Sequence, residues 1–227
     1  MSDRHQALRR EARERVQARA GEAMRRQEPD GARRIAIRLL DEELRRVPAA
    51  DRGPLACAEG CTMCCHLRVM VTAAEVFGLI DYLESTLSAA DFASFRQRVE
   101  TVQEHIAGLP KEAVLTTNIA CPVLVDGRCS GYAARPFNCR SYHSLDRDAC
   151  QQAFDHPTDT SLGHPQYAAV ARVHEGVQGG LIAALAEAGY DSAQRELVSA
   201  LHEALNDADA RTRFRNRGTA FLQPSPV

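Results

Sequence analysis

Several features of membrane, secreted and nucleic-acid-binding proteins are scarce in this chain. No stretch approaches the roughly 18 consecutive apolar residues of a membrane-spanning helix. The first residues form an Arg- and Glu-rich stretch without the apolar core of a signal peptide. Residues 1–48 contain no aromatic side chain on which a nucleic-acid base could stack. We therefore expect a cytoplasmic protein that does not bind membranes, and nucleic acid is not an expected partner.

Lysine is also nearly absent, and the charge is close to balanced. Lys111 is the only lysine, and we attach no function to this bias. The formal net charge at pH 7 is -2. Arginines of residues 1–48 alternate with glutamates, as on a solvated helix. The charge pattern therefore gives no strong indication of a polyanionic partner.

The cysteines of the chain are arranged in a distinctive pattern. Residues 57–66 read C-x-x-x-C-x-x-C-C-H, and a second cysteine cluster lies in residues 121–150. Eight cysteines in 227 residues fall well below the roughly 8–10% of secreted disulfide scaffolds, and cytoplasmic thiols stay reduced. We therefore predict that the metal ion is a partner and that the two clusters are halves of one metal site. The predicted metal ligands are Cys57, Cys61, Cys64, Cys65, Cys121, Cys129, Cys139 and Cys150.

The chemistry of these thiols leaves the metal open. Thiolates packed together repel one another unless a metal ion offsets their charge. Four cysteines hold a 4Fe-4S cluster, whereas two four-cysteine zinc centres or a binuclear zinc site would use up to eight. Neighbouring side chains on a strand or turn point apart, so either Cys64 and Cys65 serve different metals or only one of them is a ligand. The predicted cofactor is an iron-sulfur cluster or a zinc ion.

Residues near the cysteines are candidates for supporting roles. Arg68, Arg128, Arg135 and Arg140 could offset the charge of about -2 that four thiolates leave on zinc or on an oxidised cluster. Arg135 and Arg140 are the predicted cofactor-binding residues, although Arg135 could instead pair with an acidic helix. His66 and His143 could each replace a thiolate. The other histidines are expected at the surface, and Tyr132 is expected to be a packing residue.

The pattern of apolar residues and helix caps predicts a mostly α fold. Leu8, Ala12, Val16, Ala20 and Met24 recur every four residues, which predicts a helix over 4–26 whose narrow apolar stripe needs a partner. That partner is expected to be the body of the protein or another subunit.

Local signals place the other elements. Thr72 and Glu75 are predicted to form a capping box. Asp126 and Gly127 predict a hairpin turn that brings Cys121 and Cys129 close. Asp191 is predicted to cap the helix that follows it. We expect a helical domain with a small β-hairpin and an irregular, metal-stapled cysteine centre. We expect three parts in the chain. Residues 1–48 form an N-terminal helical hairpin, residues 49–164 a cysteine-cluster metal-binding domain, and residues 165–227 C-terminal helices packed on the same domain.

Three blocks in order resemble the YkgJ-type cysteine-cluster family, also called the CxxCxxCC family. They are the run Cys57 to Cys65, Cys121-Pro122 followed by Gly127-Arg128-Cys129, and Tyr132-Ala-Ala-Arg135-Pro136-Phe-Asn-Cys139-Arg140. The first gap has three residues, whereas the family pattern has two. The resemblance covers about residues 55–150 and implies a zinc- or iron-chelating domain. A similar cysteine domain occurs in flagellin lysine methylases, where an iron-sulfur cluster is implicated.

Two classes of function are compatible with these observations. The first is a metal-binding protein without catalytic activity, which we favour, and its biological role is unassigned. The second is an iron-sulfur enzyme of redox or methyl-transfer type related to flagellin lysine methylases. C-x-x-x-C-x-x-C also resembles the signature of radical S-adenosylmethionine enzymes, but the helical pattern after Val71 does not fit their alternating strands and helices. A glycine-rich cofactor loop after a strand is not found either.

Overall fold

The computed structural model describes residues 3–226 and is mostly helical, as predicted. Within this range there are nine α-helices and four two-residue strands. The helices are α1 Asp3–Arg25, α2 Pro29–Arg46, α3 Ala73–Thr86, α4 Ala89–Ala107, α5 Phe137–Ser141, α6 Arg147–Asp155, α7 Ala168–Glu187, α8 Leu197–Asn206 and α9 Ala210–Arg215. The strands are β1 Met70–Val71, β2 Leu124–Val125, β3 Arg128–Cys129 and β4 Arg195–Glu196. None of these helices is long and apolar enough to cross a membrane.

Helix α1 packs along α7 and also contacts α2. Its predicted apolar stripe is buried from Ala12 to Met24, so the stripe finds its partner within the same chain. Glycines of α7 allow the two backbones to approach closely. A Cβ atom added at Gly180 would lie 2.6 Å from the carbonyl oxygen of Arg13. This helix pair continues into one core with α2, α3 and α8.

The predicted capping box at the start of α3 is confirmed, and its glutamate also holds α5. The backbone N–H and the hydroxyl of Thr72 each donate to Glu75 Oε2 at 2.8 Å. Glu75 Oε1 accepts from the backbone N–H of Phe137, the first residue of α5, also at 2.8 Å. Glu75 is only 2% exposed, and burial raises its pKa. One buried carboxyl group therefore joins two elements that are distant in sequence.

The strands form two small antiparallel sheets. In the predicted hairpin, β2 pairs with β3, and Asp126 and Gly127 take φ angles of 48° and 74° in the turn. Gly127 suits this left-handed conformation because it has no Cβ atom. The other sheet joins β1 to β4 with Met70 opposite Glu196.

Asp191 does not cap the helix that follows it, so this prediction is wrong. Its carboxylate accepts from the N–H groups of Ala193 at 3.0 Å and Ala220 at 2.9 Å. The N-cap of α8 is Glu196, which accepts from the N–H of Ser199 at 2.9 Å. The helix begins later because the chain first pairs with β1.

Candidate metal centre

Seven of the eight cysteines line one cavity of about 830 Å³. All eight are free thiols, and Cys57 is the exposed one among them. The eighth, Cys150, lies on α6, which packs against the turn at residues 63–66. The cysteines of the cavity are Cys57, Cys61, Cys64, Cys65, Cys121, Cys129 and Cys139. The two sequence clusters therefore meet in space.

Backbone hydrogen bonds join the first cluster to the β2–β3 hairpin. The N–H of Cys121 donates to the carbonyl oxygen of Cys65 at 2.9 Å, and the N–H of Ile119 donates to that of His66 at 3.3 Å. Cys121 is held at the base of the hairpin, since its carbonyl oxygen accepts from Leu124 at 2.9 Å. Leu124 is in turn opposite Cys129 in the sheet register. Cys65, Cys121 and Cys129 are thereby brought to one place.

A second set of contacts joins the start of the first cluster to the segment before α6. The N–H of Ala56 donates to the carbonyl oxygen of Ser144 at 2.8 Å. The N–H of Ser144 donates to Cys57 Sγ at 3.3 Å. Burial raises the pKa of the Cys150 thiol. A hydrogen bond from the Ser144 side chain to this thiol has the opposite but smaller effect. Ser144 thus touches two of the predicted ligands.

The buried thiols are held in their protonated form at neutral pH. Burial raises the pKa of Cys121 to about 12 and also raises that of Cys139. Cys64 and Cys65 hydrogen-bond each other, which is the main cause of a raised pKa at Cys64 and a lowered pKa at Cys65. A thiol binds a metal as the thiolate, so metal binding here would replace protons. The donor set therefore suits a metal that deprotonates its ligands.

Arginine side chains lie beside the thiols, and some of their N–H groups have no hydrogen-bond acceptor. Among the described residues, Arg68 Nε and Nη1 and Arg135 Nε are buried and have no hydrogen-bond partner. Arg68 Nη1 lies 3.6 Å from Glu196 Oε1, and both side chains are almost fully buried. The Arg140 Nε–H donates to the carbonyl oxygen of Arg135 at 2.9 Å. A buried donor without an acceptor costs about 1–3 kcal/mol, and a negatively charged metal-thiolate centre would supply acceptors. The residues present therefore fit such a centre.

Arg128 and Tyr132 face outward. The Arg128 side chain is 76% exposed and forms an ion pair of 3.1 Å with Glu59. Tyr132 is 61% exposed, so the expectation that it is a packing residue is wrong. Its ring instead lies under the guanidinium group of Arg135, 4.0 Å from the centroid. The aromatic ring of Tyr132 therefore positions the guanidinium group of Arg135.

The histidines differ in what they can offer a metal. His143 Nδ1 donates to the carbonyl oxygen of Ser141 at 2.8 Å, and Nε2 accepts from the N–H of Tyr167 at 3.1 Å. Both nitrogens of His143 are thus engaged, which leaves no lone pair for a metal. His66 Nδ1 donates to the carbonyl oxygen of Thr62 at 3.0 Å, and its ring meets Phe154 edge-on. His66 is left with Nε2 as its only possible donor to a metal.

His174 was expected at the surface, but it is buried beside the cavity. It is 6% exposed, and burial lowers its pKa to about 4. Within residues 3–226 its Nδ1 has no hydrogen-bond partner. His174 lies three residues before Val177 and next to Val173, which are both buried on α7. This helical spacing could have predicted that His174 is buried.

The thiols are gathered but not arranged around a common point. Across residues 3–226, no three Cys, His, Asp or Glu side chains stand together in a geometry that holds a metal ion. The assignment of each cysteine as a ligand, and of Arg135 and Arg140 as cofactor-binding residues, therefore stays a prediction.

The helical scaffold gathers seven free thiols in one cavity, with the eighth on α6 and buried guanidinium groups beside them, a set of side chains whose chemistry suits metal chelation. Residues 56–160 of the chain match the model of the CxxCxxCC family, described as "Putative zinc- or iron-chelating domain". This match confirms the resemblance predicted from the sequence. The matched range contains all eight cysteines, while α1, α2 and α7–α9 lie outside it. Searches of curated proteins and of solved structures gave no match.

Proposed function

We propose that this protein binds zinc or an iron-sulfur cluster through the eight cysteines, with Arg68, Arg135 and Arg140 offsetting the negative charge. The matched domain supports metal binding as the general function. The observation that carries the finer proposal is the cavity, because it combines thiols from both clusters with two arginines that each have a buried N–H group without an acceptor. Neither feature is expected of thiols that serve only as apolar filler.

The residues of the cavity have separate parts in this proposal. The thiolates bind the metal, and the metal supplies a charge that keeps them deprotonated near neutral pH. Arg68 and Arg135 donate hydrogen bonds toward the sulfur atoms, which stabilises the negative centre. Arg140 lies beside Arg135, and burial together with the charge of Arg135 lowers its pKa. The charge of Asp41 opposes this repulsion in part, and a thiolate centre would offset it further.

Anaerobic purification followed by metal and sulfide analysis and a visible spectrum tests this proposal. A brown protein with iron and sulfide identifies the cluster, and a colourless protein with stoichiometric zinc identifies zinc. The paired substitution R68M/R135M is expected to lower the metal content or to speed its loss to a chelator. The exposed arginine R128M serves as the control. If neither metal is present at a stoichiometric level and the thiols are oxidised in pairs, metal binding is refuted.

The size of the cavity favours one second candidate, an iron-sulfur enzyme of redox or methyl-transfer type related to flagellin lysine methylases. About 830 Å³ lies within the range of pockets that bind small molecules, roughly 300–1,000 Å³. Tyr142 and His174 also line it. Titration of the metal-loaded protein with S-adenosylmethionine in a calorimeter tests the methyl-transfer form. Absence of binding at millimolar ligand would exclude the methyl-transfer form and leave the metal-binding proposal unaffected.

A further inference from the structure

We propose that the part of the cavity walled by α2 and α7 binds a small organic carboxylate with an apolar chain. His174 and Arg140 hold the carboxylate group, and the chain lies against Leu40, Leu44 and Val170, all of which line the cavity. This site needs no metal ion. It therefore goes beyond the proposed function and is tested separately from it.

The cavity extends past the space that a metal centre uses. A zinc ion lies about 2.3 Å from each sulfur ligand, so it stays next to the thiols. Helices α2 and α7 contain no cysteine, yet both contribute side chains to the wall of the cavity of about 830 Å³. Both helices also lie outside residues 56–160, the range that matches the chelating domain. The space beside them is therefore available to a ligand other than the metal.

His174 supplies a polar group to this part of the wall. The residue is only 6% exposed, and its Nδ1 atom has no hydrogen-bond partner within the described residues. A buried nitrogen without a partner is unfavourable, and a bound ligand can satisfy it. Burial lowers the pKa of His174 to about 4, so the imidazole ring is neutral at pH 7. In the tautomer that carries its proton on Nδ1, the ring donates a hydrogen bond to a carboxylate oxygen.

Arg140 supplies the positive charge. It lies on α5, which packs against α7. Its Nε–H and Nη2–H groups donate to the carbonyl oxygens of Arg135 and Ala133, which fixes the guanidinium group. Nη1 has no hydrogen-bond partner in the described part of the chain, and no carboxylate there is within ion-pair distance of Arg140. Asp41, whose charge acts on Arg140, is exposed to solvent.

The charge of Arg140 also reaches His174. Burial is the main cause of the lowered pKa of His174, and the charges of Arg135 and Arg140 act in the same direction. The surroundings of His174 are therefore cationic, which favours an anion as the ligand.

Apolar side chains lie next to this polar pair. Val170 is four residues before His174, so the two share one face of α7. Leu40 and Leu44 share one face of α2 by the same spacing, and α2 packs against α7. A few polar groups within a mostly apolar wall are typical of sites that bind organic ligands. This combination favours a carboxylate with an apolar chain over an inorganic anion such as phosphate.

Calorimetric titration of the full-length, anaerobically purified protein with three probes tests the site. The probes are hexanoate, its neutral analogue hexanamide, and acetate, which lacks the chain. We expect hexanoate to bind at least about tenfold more tightly than hexanamide, because hydrogen bonds to a charged acceptor are stronger. It should exceed acetate by about fourfold for each CH₂ group that becomes buried. Equal affinities for hexanoate and hexanamide, or no binding of hexanoate at millimolar concentration, would overturn the proposal.

Three variants assign the binding to these residues. H174L removes the ring nitrogens and R140M removes the charge, and each should weaken hexanoate binding at least about tenfold. H105L changes an exposed histidine of α4 and should bind hexanoate as wild type does. Circular dichroism verifies the helix content. If H174L or R140M does not fold, the comparison of hexanoate with hexanamide in wild type still decides the outcome.

The same preparations separate this site from the metal centre. Unchanged hexanoate binding in both H174L and R140M would assign the probe to the metal or to other apolar surface, and would overturn the proposal. Metal content is measured alongside. A metal-loaded protein that does not bind hexanoate would overturn this inference alone, whereas a protein that binds hexanoate but contains no metal would refute only the proposed function.

Discussion

Replacement of Gly180 by alanine tests the close contact between α1 and α7. In most helices this change is favourable, because alanine exceeds glycine in helix propensity by about 1 kcal/mol. Here the added Cβ atom would lie 2.6 Å from the Arg13 carbonyl oxygen and 2.8 Å from Val16 Cβ. Both of these neighbours belong to α1, so the helices have to separate or the chain has to absorb the overlap.

The neighbouring Gly179 provides a matched control for the magnitude. A Cβ atom there meets only the flexible Arg13 side chain, at 3.8 Å. G179A should therefore be stabilised by about 1 kcal/mol. For G180A the optimal separation of carbon atoms, about 3.5–4.0 Å, requires α1 to move by about 1 Å. Such overpacking costs about 1–3 kcal/mol, so G180A should be less stable than G179A by that amount.

Thermal and urea unfolding followed by circular dichroism measure this difference. For a chain of this size 1 kcal/mol corresponds to about 2–4 °C in the melting temperature. The two variants gain the same helix propensity, so their difference isolates the contact with α1. Equal melting temperatures for G179A and G180A would refute the described packing of α1 on α7.

Two further predictions concern buried polar groups. Glu75→Ala leaves the N–H groups of Thr72 and Phe137 without their acceptor, at a cost of about 1–3 kcal/mol each. Urea unfolding should therefore show a loss of about 2–6 kcal/mol, and an unchanged midpoint would contradict the shared role of this carboxyl group. For His174, burial lowers the folded-state pKa to about 4 from the ordinary value of 6.5, so the unfolded chain binds the extra proton between these pH values. Its contribution to stability is fully present above pH 6.5 and is lost as the pH falls toward 4, by at most about 3 kcal/mol. His174→Gln should therefore lose less stability than wild type between pH 7 and pH 5 in urea titrations, and parallel losses would contradict a buried neutral imidazole.

Local patterns in the sequence predicted the elements that local forces determine. The capping box at Thr72 and Glu75 and the turn at Asp126 have their partners within a few residues, and the stripe of α1 is set by helical spacing alone; the structure confirms each. What the sequence did not show is the second oxygen of Glu75 accepting from Phe137, 62 positions away. No spacing rule connects residues that are so far apart in the chain.

Non-local pairing also explains the errors. Asp191 has the residue type and context of a helix cap, but the pairing of β4 with β1 delays α8 until Leu197. His174 lies on the inward face of α7, but histidine is intermediate in its tendency to be buried, so residue type alone did not place it in the core. For the cysteines, the sequence indicated that the two clusters meet. It did not indicate which thiols become neighbours, because that depends on how the hairpin, α5 and α6 pack. The three-part division of the chain stays a prediction.

The packing of α1 on α7 has a consequence for the order in which the protein is made. The stripe of α1 is buried by a helix that begins at Ala168, so the first helix leaves the ribosome long before its partner exists. At about 5–20 residues per second, roughly 140 intervening residues keep it waiting on the order of ten seconds. During that time an isolated amphipathic helix exposes its apolar stripe, and by the end of it all eight cysteines have been synthesised. Every cysteine is therefore present in the chain before α7 and α8 can complete the core.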